Sequence, residues 1–266
     1  MSQLVLNNIH KTFGMGTVNE NHVLKGIDLT LDKGDFVTVI GGNGAGKSTL
    51  LNTIAGHHIP DQGTIMIGEA DITTLSNHQR ANKIGYVFQD PKLGTARRLT
   101  IQENMALANR RGLNRGLSWG VKRSEREFIK NKLSSLGLGL ENRLNTDVEF
   151  LSGGQRQALT LLMATLREPE LLLLDEHTAA LDPKTSEMVL NLTDKIIAEQ
   201  NLTALMITHN MADAIKYGNR LIMLHHGKVI LDVKEHEKKN MTVIDLLDLF
   251  KQHSGEAVTS DAMLLS

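Results

Sequence analysis

Along this chain, short apolar runs alternate with segments whose apolar residues recur every three or four positions, the pattern of strands interleaved with helices. Residues 24–31 alternate apolar and polar, which predicts a strand with one wet face. Phe36–Ile40 is a short apolar run that meets Gly41 and Gly42, and a helical segment, Lys47–Ala55, follows until Gly56 stops it. Residues 64–67 and 84–88 predict further strands, and residues 100–166 a long helical middle. Beyond it, residues 171–174 read as a buried strand, Asp182-Pro183 as a capped helix start, and residues 204–208 as another strand. Residues 221–224 and 229–231 flank His226-Gly227, which predicts a hairpin. Thr242 with Asp245 has the spacing of a capping box, opening a last helix to Gln252, and the tail from Ser254 reads as loose.

Strands alternating with helices imply an α/β fold with a mostly parallel sheet covered on both faces. The middle lacks strand signals, which predicts a helical lobe (residues 92–164) inserted in a sheet core (1–91 and 165–234), with a C-terminal helix and tail (235–266). The chain contains no internal repeat and no low-complexity tract.

Composition narrows the classes. A chain of 266 residues, 41% apolar and 22% charged, is one ordinary α/β domain or two small ones, not a disordered or fibrous protein. Aromatics make up only 3%, so the core must be aliphatic. The 29 Lys and Arg balance 30 Asp and Glu, which argues against a generally basic nucleic-acid binder. The absence of cysteine excludes disulfides, thiolate metal sites and a cysteine nucleophile. Residues 158–166 are the longest near-apolar stretch, well short of the roughly 20 residues of a bilayer span, and no secretory leader is readable at the start. The expectation is a chain that does not cross a membrane by itself, with the cytoplasm as its compartment.

Gly41-Gly42-Asn43-Gly44-Ala45-Gly46-Lys47-Ser48, followed by Thr49, fits G-x-x-x-x-G-K-[ST] between a strand and a helix. Glycines permit the tight curl that turns successive N–H groups inward, and the helix N-terminus adds positive potential for phosphates. Lys47 is placed to reach the β- and γ-phosphates of ATP, and the Ser48 hydroxyl to take a Mg²⁺ position. Such a loop needs an acid at the end of a neighbouring buried strand. Leu171-Leu172-Leu173-Leu174-Asp175-Glu176 supplies Asp175 on the metal side and Glu176 to polarise the attacking water. The plainer readings are a Gly-rich turn and a strand end reaching solvent.

With these motifs in place, the chain resembles the ATP-binding-cassette family over nearly its whole length. Leu151-Ser152-Gly153-Gly154-Gln155 is similar to the family's signature motif, Gln89 to its Q-loop, Ala180-Leu181-Asp182 to its D-loop, and His209 to its switch histidine. Phe13 sits where an aromatic stacks on adenine in the family, with plain core as the alternative. The resemblance implies a P-loop NTPase (RecA-like) fold with N-terminal antiparallel strands and the inserted helical subdomain, all one nucleotide-binding domain. It implies ATP and Mg²⁺ as ligands, with Ser48, Gln89 and Asp175 on the metal, and Glu176 and His209 catalytic. It also implies that Ser152, Gly153, Gly154, Gln155 and Asp182 act in trans, on the ATP of a second copy.

One departure from the family pattern is His177, where the usual residue is Pro; the expectation is a tolerated turn substitution, with an imidazole beside Glu176 able to perturb its proton affinity. His57-His58 and His225-His226 lack the i, i+4 spacing of a helical metal pair and read as solvated turns.

Residues 92–132 carry eleven Lys and Arg against Glu103, Glu125 and Glu127, a local charge of +8. The resemblance implies that this lobe meets a transmembrane permease subunit, where a basic face suits acidic loops or anionic headgroups; a merely solvated face is the alternative. The single tryptophan, Trp119, gives little support for stacking on RNA. The function so implied is the ATPase subunit of a membrane transporter at the cytoplasmic face of the membrane. An importer of a small solute such as an amino acid, served by an extracytoplasmic solute-binding protein, is favoured over an exporter. The rival is a soluble cassette ATPase acting on a protein scaffold, of the iron–sulfur assembly type.

Overall fold

The computed structural model describes residues 2–113 and 123–254. The chain begins with β1 (Ser2–Phe13), β2 (Asn21–Asp32), β3 (Phe36–Ile40), α1 (Lys47–Ala55), β4 (Gln62–Ile67), β5 (Ala70–Asp71), α2 (Asn77–Arg80) and β6 (Ile84–Val87). Its middle holds α3 (Ile101–Asn109), α4 (Arg123–Ser134), 3₁₀ turns at Leu140–Asn142 and Val148–Phe150, and α5 (Gly153–Thr165). There follow β7 (Leu171–Asp175), α6 (Pro183–Gln200), β8 (Ala204–Ile207), α7 (Met211–Lys216), β9 (Arg220–His225), β10 (Lys228–Lys234), α8 (Glu235–Lys238) and α9 (Val243–Ser254).

The larger sheet has the order β10-β9-β3-β8-β7-β6, parallel except for β10, which pairs antiparallel with β9. Strand β7 shows why its leucines run without alternation. Leu171 and Leu173 pack into the core that contains α1, while Leu172 and Leu174 pack with residues of α5 and α6 on the opposite face. A strand covered on both faces has no wet position to fill. The smaller sheet, β2-β1-β4-β5, is antiparallel, and α1 lies between the two sheets with Leu50, Leu51 and Ile54 buried.

Strand β1 is the main element that periodicity did not predict. Leu4, Leu6 and Ile9 all face the core, but the register slips between Leu6 and Ile9, where Asn8 takes φ 50°. That extra residue breaks the period of two, and the Asn8 N–H donates to Asp28 Oδ1 at 2.7 Å.

The predicted helical middle is a lobe of several short helices. Its apolar positions do form one core, with Ile101, Met105, Ile129, Leu133, Val148, Leu159 and Leu162 in a single cluster. The helices are short, however, and two 3₁₀ turns carry the chain between α4 and α5. Trp119 and part of the basic run, Arg115 and Lys122, lie outside the described residues, as does the tail beyond Ser254. The hairpin and the last capping box are found as predicted: His226 and Gly227 take φ 46° and 80°, and Thr242 and Asp245 exchange N–H bonds through their side chains. No described helix is long and apolar enough to cross a membrane.

A buried cation that the sequence pattern gave no sign of anchors α1. Arg80 is 0% exposed; its guanidinium donates to the carbonyls of Thr53 and Ile54 in the last turn of α1, at 2.8 and 2.7 Å, and to those of Leu75 and Thr73. Helix-end carbonyls lack intrahelical partners, and a cation there completes them and complements the dipole. Burial pulls the Arg80 pKa down to about 10, partly offset by the Asp71 charge, and it stays protonated at neutral pH. We expect Arg80→Met to leave these acceptors without donors and to cost about 3 kcal/mol or more in urea unfolding. A loss below about 0.5 kcal/mol, the level of an ordinary surface change, would show that the clamp is dispensable.

Candidate active site

Strand β3 is buried along its whole length and delivers the chain into the glycine curl. At Gly41 a Cβ would stand 2.3 Å from the Leu224 carbonyl oxygen, so only glycine lets the loop pass β9. The curl ends at Gly46, and α1 starts with Lys47. Lys47 is 6% exposed and its ammonium donates to the carbonyls of Gly41 at 2.7 Å and Gly42 at 3.3 Å. Burial lowers its pKa, while the charges of Glu176 and Asp175 oppose the shift.

The end of β7 brings the acids to this curl. Asp175 Oδ1 lies 3.5 Å from Ser48 Oγ, and Oδ2 accepts the Tyr86 hydroxyl at 3.0 Å. Burial raises the Asp175 pKa and, with the adjacent carboxylate, pushes the Tyr86 phenol far above its ordinary value, so Tyr86 stays a donor. Glu176 turns away from the strand with φ 45°, and its N–H donates to the Ile207 carbonyl of β8 at 3.2 Å. Its Oε2 is 2.5 Å from His209 Nε2, which follows β8. Glu176 and His209, thirty-three positions apart, are thus one close-contact pair.

These groups line a cavity of about 420 Å³. Its walls are Asn43, Gly44, Ala45, Gly46, Lys47, Ser48, Thr49, Glu176 and His209, with Asn21 and Val23 of β2 opposite. Asn21, Val23 and Tyr86 are the site residues the sequence reading missed. The first two share one strand face, which a period of two could have flagged; Tyr86 belongs to a strand whose hydroxyl partner only the fold supplies.

Other expected residues lie outside this cavity. Phe13 pairs with Asn21 across β1 and β2, which puts it beside the cavity wall, and its ring meets that of His58 edge-on at 5.1 Å. Gln89 is exposed just past β6. Ser152 caps α5: its hydroxyl accepts the Gln155 N–H at 3.2 Å, and Gln155 Oε1 accepts the Ser152 N–H at 3.3 Å. A Cβ on Gly154 would stand 2.2 Å from the Thr185 methyl, so glycine sets how closely α5 approaches α6. Arg156 holds the segment before the signature by donating to the carbonyls of Val148, Glu149 and Leu151. Asp182 caps α6, accepting from the Thr185 N–H at 3.1 Å. Ser152, Gly153, Gly154, Gln155 and Asp182 therefore present a second helix-start surface, apart from the glycine curl of the same chain.

His177 lies in a turn, as expected, and that turn is buried. It is 2% exposed, with Nε2 3.0 Å from the Thr193 hydroxyl of α6, and burial lowers its pKa to about 4. It is a neutral histidine packed against α6. Of the two pairs, His57 and His226 are exposed as expected, whereas His58 packs on Phe13 and His225 on Phe250.

Among the described residues no cluster of three or more His, Asp or Glu could cage a metal. Ser48 and Asp175 offer two oxygen donors, a set that suits a hard cation such as Mg²⁺, whose remaining ligands would be oxygens from outside the protein. The donor set fits a cation that arrives with a nucleotide.

A profile of the ABC transporter family matches residues 24–179. The chain is 45% identical over 251 residues to the tyrosine transport ATP-binding protein of Clostridioides difficile (strain R20291), covering 93% of this chain and 98% of that protein. It is 35% identical to the methionine import ATP-binding protein MetN 2 of Enterococcus faecalis (strain ATCC 700802 / V583), over 96% of this chain and 69% of that protein. Among solved structures it is similar to the dimeric post-hydrolysis state of the ATP-binding cassette MJ0796 bound to ADP and Pi. There the TM-score is 0.73 and the identity 32%, over 87% of this chain and 98% of that one. With profile, full-length relatives and fold in agreement, the chain belongs to the ABC transporter family, as an ATP-binding cassette that hydrolyses ATP.

Proposed function

We propose that this cassette powers an importer of a small solute such as an amino acid, with tyrosine the first candidate, from the cytoplasmic face of the membrane. The observation that carries the reading is the 45% identity that runs through 98% of a tyrosine transport ATP-binding protein. Two copies close over two ATP molecules. The curl of one (Gly41 to Thr49) holds the phosphates, and Ser152, Gly153, Gly154, Gln155 and Asp182 of the other complete the enclosure. The separation of the two surfaces within one chain supports that arrangement, since a twofold axis brings each to its complement.

In this reading Lys47 leaves the loop carbonyls for the β- and γ-phosphates, and Phe13 stacks on the adenine beside Asn21. Glu176 takes the proton of the attacking water, and His209, already in contact with it, keeps the carboxylate aimed. Ser48, Asp175 and Gln89 hold Mg²⁺, which when bound neutralises charge that develops on the phosphates. The membrane subunit docks in a groove of about 880 Å³ between α2 and β6 on one side and α3 and α5 on the other. Leu93, Leu107 and Leu113 on its lining are 70%, 38% and 51% exposed, and Arg110 and Arg111 lie beside them, a mixed apolar and basic lining suited to a short permease helix with acidic residues. A solute-binding protein on the far side of the membrane delivers the solute.

The test is reconstitution in vesicles with the membrane subunit that copurifies from native membranes. ATP-driven uptake of labelled tyrosine, poorly competed by methionine, is the expected result. Efficient ATP turnover without uptake of any amino acid rejects the substrate, and failure to copurify any membrane subunit rejects the transporter role.

A further inference from the structure

The strongest unassigned feature is a hydrogen bond one residue beyond Glu176. We propose that His177 is a positioning residue, whose bond to Thr193 holds the left-handed turn at Glu176 and ties that carboxylate to α6. The inference rests on the reading of Glu176 as the base.

Glu176 adopts φ 45°, a conformation that disfavours residues with a Cβ and persists only when its surroundings hold it. On one side the Glu176 N–H is anchored to Ile207 of β8. On the other side His177 is buried, and its Nε2 reaches Thr193 Oγ1 at 3.0 Å. The direction of that bond follows from the threonine. Thr193 Oγ1 donates its one proton to the Val189 carbonyl at 2.8 Å, so it accepts from His177 Nε2–H. The imidazole is therefore held in one tautomer and one orientation, as an N–H donor bolted to α6.

Helix α6 is a useful anchor for this purpose. It starts at the Asp182 cap, and its Thr185 methyl fills the space that the missing side chain of Gly154 leaves in α5. One rigid element thus touches the neighbour of Glu176 and the signature surface together. A change in how α6 sits against α5 reaches the neighbour of the carboxylate through one hydrogen bond, and misplacement of a reacting group by about 1 Å suffices to slow a reaction.

The test uses the full-length chain and four variants. Thr193→Val removes the acceptor at constant shape, His177→Leu removes the donor, His177→Gln keeps an N–H donor, and Thr193→Ser keeps the hydroxyl. We expect Thr193→Val and His177→Leu each to lower kcat about tenfold, with KM for ATP within about twofold. The double variant should be no slower than either single one, because both remove one interaction. His177→Gln and Thr193→Ser should recover most of the rate. The proposal is overturned if Thr193→Val lowers only the melting temperature while kcat per folded molecule is unchanged, or if the two losses multiply. Glu176→Gln is run alongside. Its retention of turnover would remove the base reading itself, whereas its loss together with a fully active Thr193→Val removes only the role of His177.

Discussion

Glu176→Gln should lower ATP turnover by about two to four orders of magnitude, the range that a positioned general base contributes. The substitution changes one atom. The amide keeps the size of the carboxylate and still offers an oxygen to His209, so the 2.5 Å contact and the turn at φ 45° have no reason to break. What disappears is basicity, since a carboxamide does not take a proton from water. ATP binding should therefore survive, with affinity within a few-fold of the parent, because Lys47, Ser48 and the curl are untouched. An enzyme that binds but cannot cleave should accumulate with nucleotide enclosed. Phosphate release measures the first effect, and light scattering with and without ATP the second. Turnover within tenfold of the parent would exclude Glu176 as the base, and a chain that stays monomeric with ATP bound would exclude the sandwich.

Lys47→Ala should act on the other half of the site and weaken ATP binding by about 100-fold or more. Charge-assisted hydrogen bonds are worth roughly 1.5–3 kcal/mol each, and two to phosphate oxygens account for that factor. The ammonium is also a brace in the ATP-free chain, bonded to the carbonyls of Gly41 and Gly42. Its loss should loosen the curl as well as remove a charge, so Lys47→Met, which restores much of the bulk, should recover little. Titration with a fluorescent ATP analogue decides the matter, with thermal unfolding as the control for fold. An affinity loss below about threefold would mean that the phosphates lie elsewhere.

The parts of the site that could be read from sequence are those whose geometry is made locally. A curl between a strand and a helix, two acids closing an apolar run, and a serine capping a glycine-led helix each carry their geometry in consecutive residues. In the structure Asp175 lies 3.5 Å from Ser48, and Ser152 caps α5. Glu176 was legible at the acidic strand end, but His209 could be listed from sequence only through resemblance, because its contact with Glu176 depends on β7 and β8 lying side by side. Tyr86 and Arg80 escaped for a related reason. Tyr86 is one polar residue in an apolar strand and Arg80 one of many polar residues in its run, and the distant acceptors are 89 positions away for the Tyr86–Asp175 bond and 27 for Arg80–Thr53.

His177 shows what the sequence left open. Its neighbours in sequence, an acid and a threonine after a strand, describe a turn but not whether that turn is buried. The fold instead brings α6 back over that turn, so that Thr193, 16 residues on, becomes the partner of the imidazole. Similarly, the apolar positions of the helical lobe were legible while its division into short helices and 3₁₀ turns was not. Burial is recorded residue by residue, but where a helix stops depends on the packing of several segments at once.

By itself the sequence determined the α/β alternation, the phosphate curl, the acidic strand end and the signature helix start, because these follow from short-range geometry and burial period. Only the tertiary structure decided which distant groups meet: Glu176 with His209, His177 with Thr193, Arg80 with the end of α1. Those pairings arise from how sheets and helices stack, and the free energy that selects a stacking is shared over the whole core rather than written at any one position.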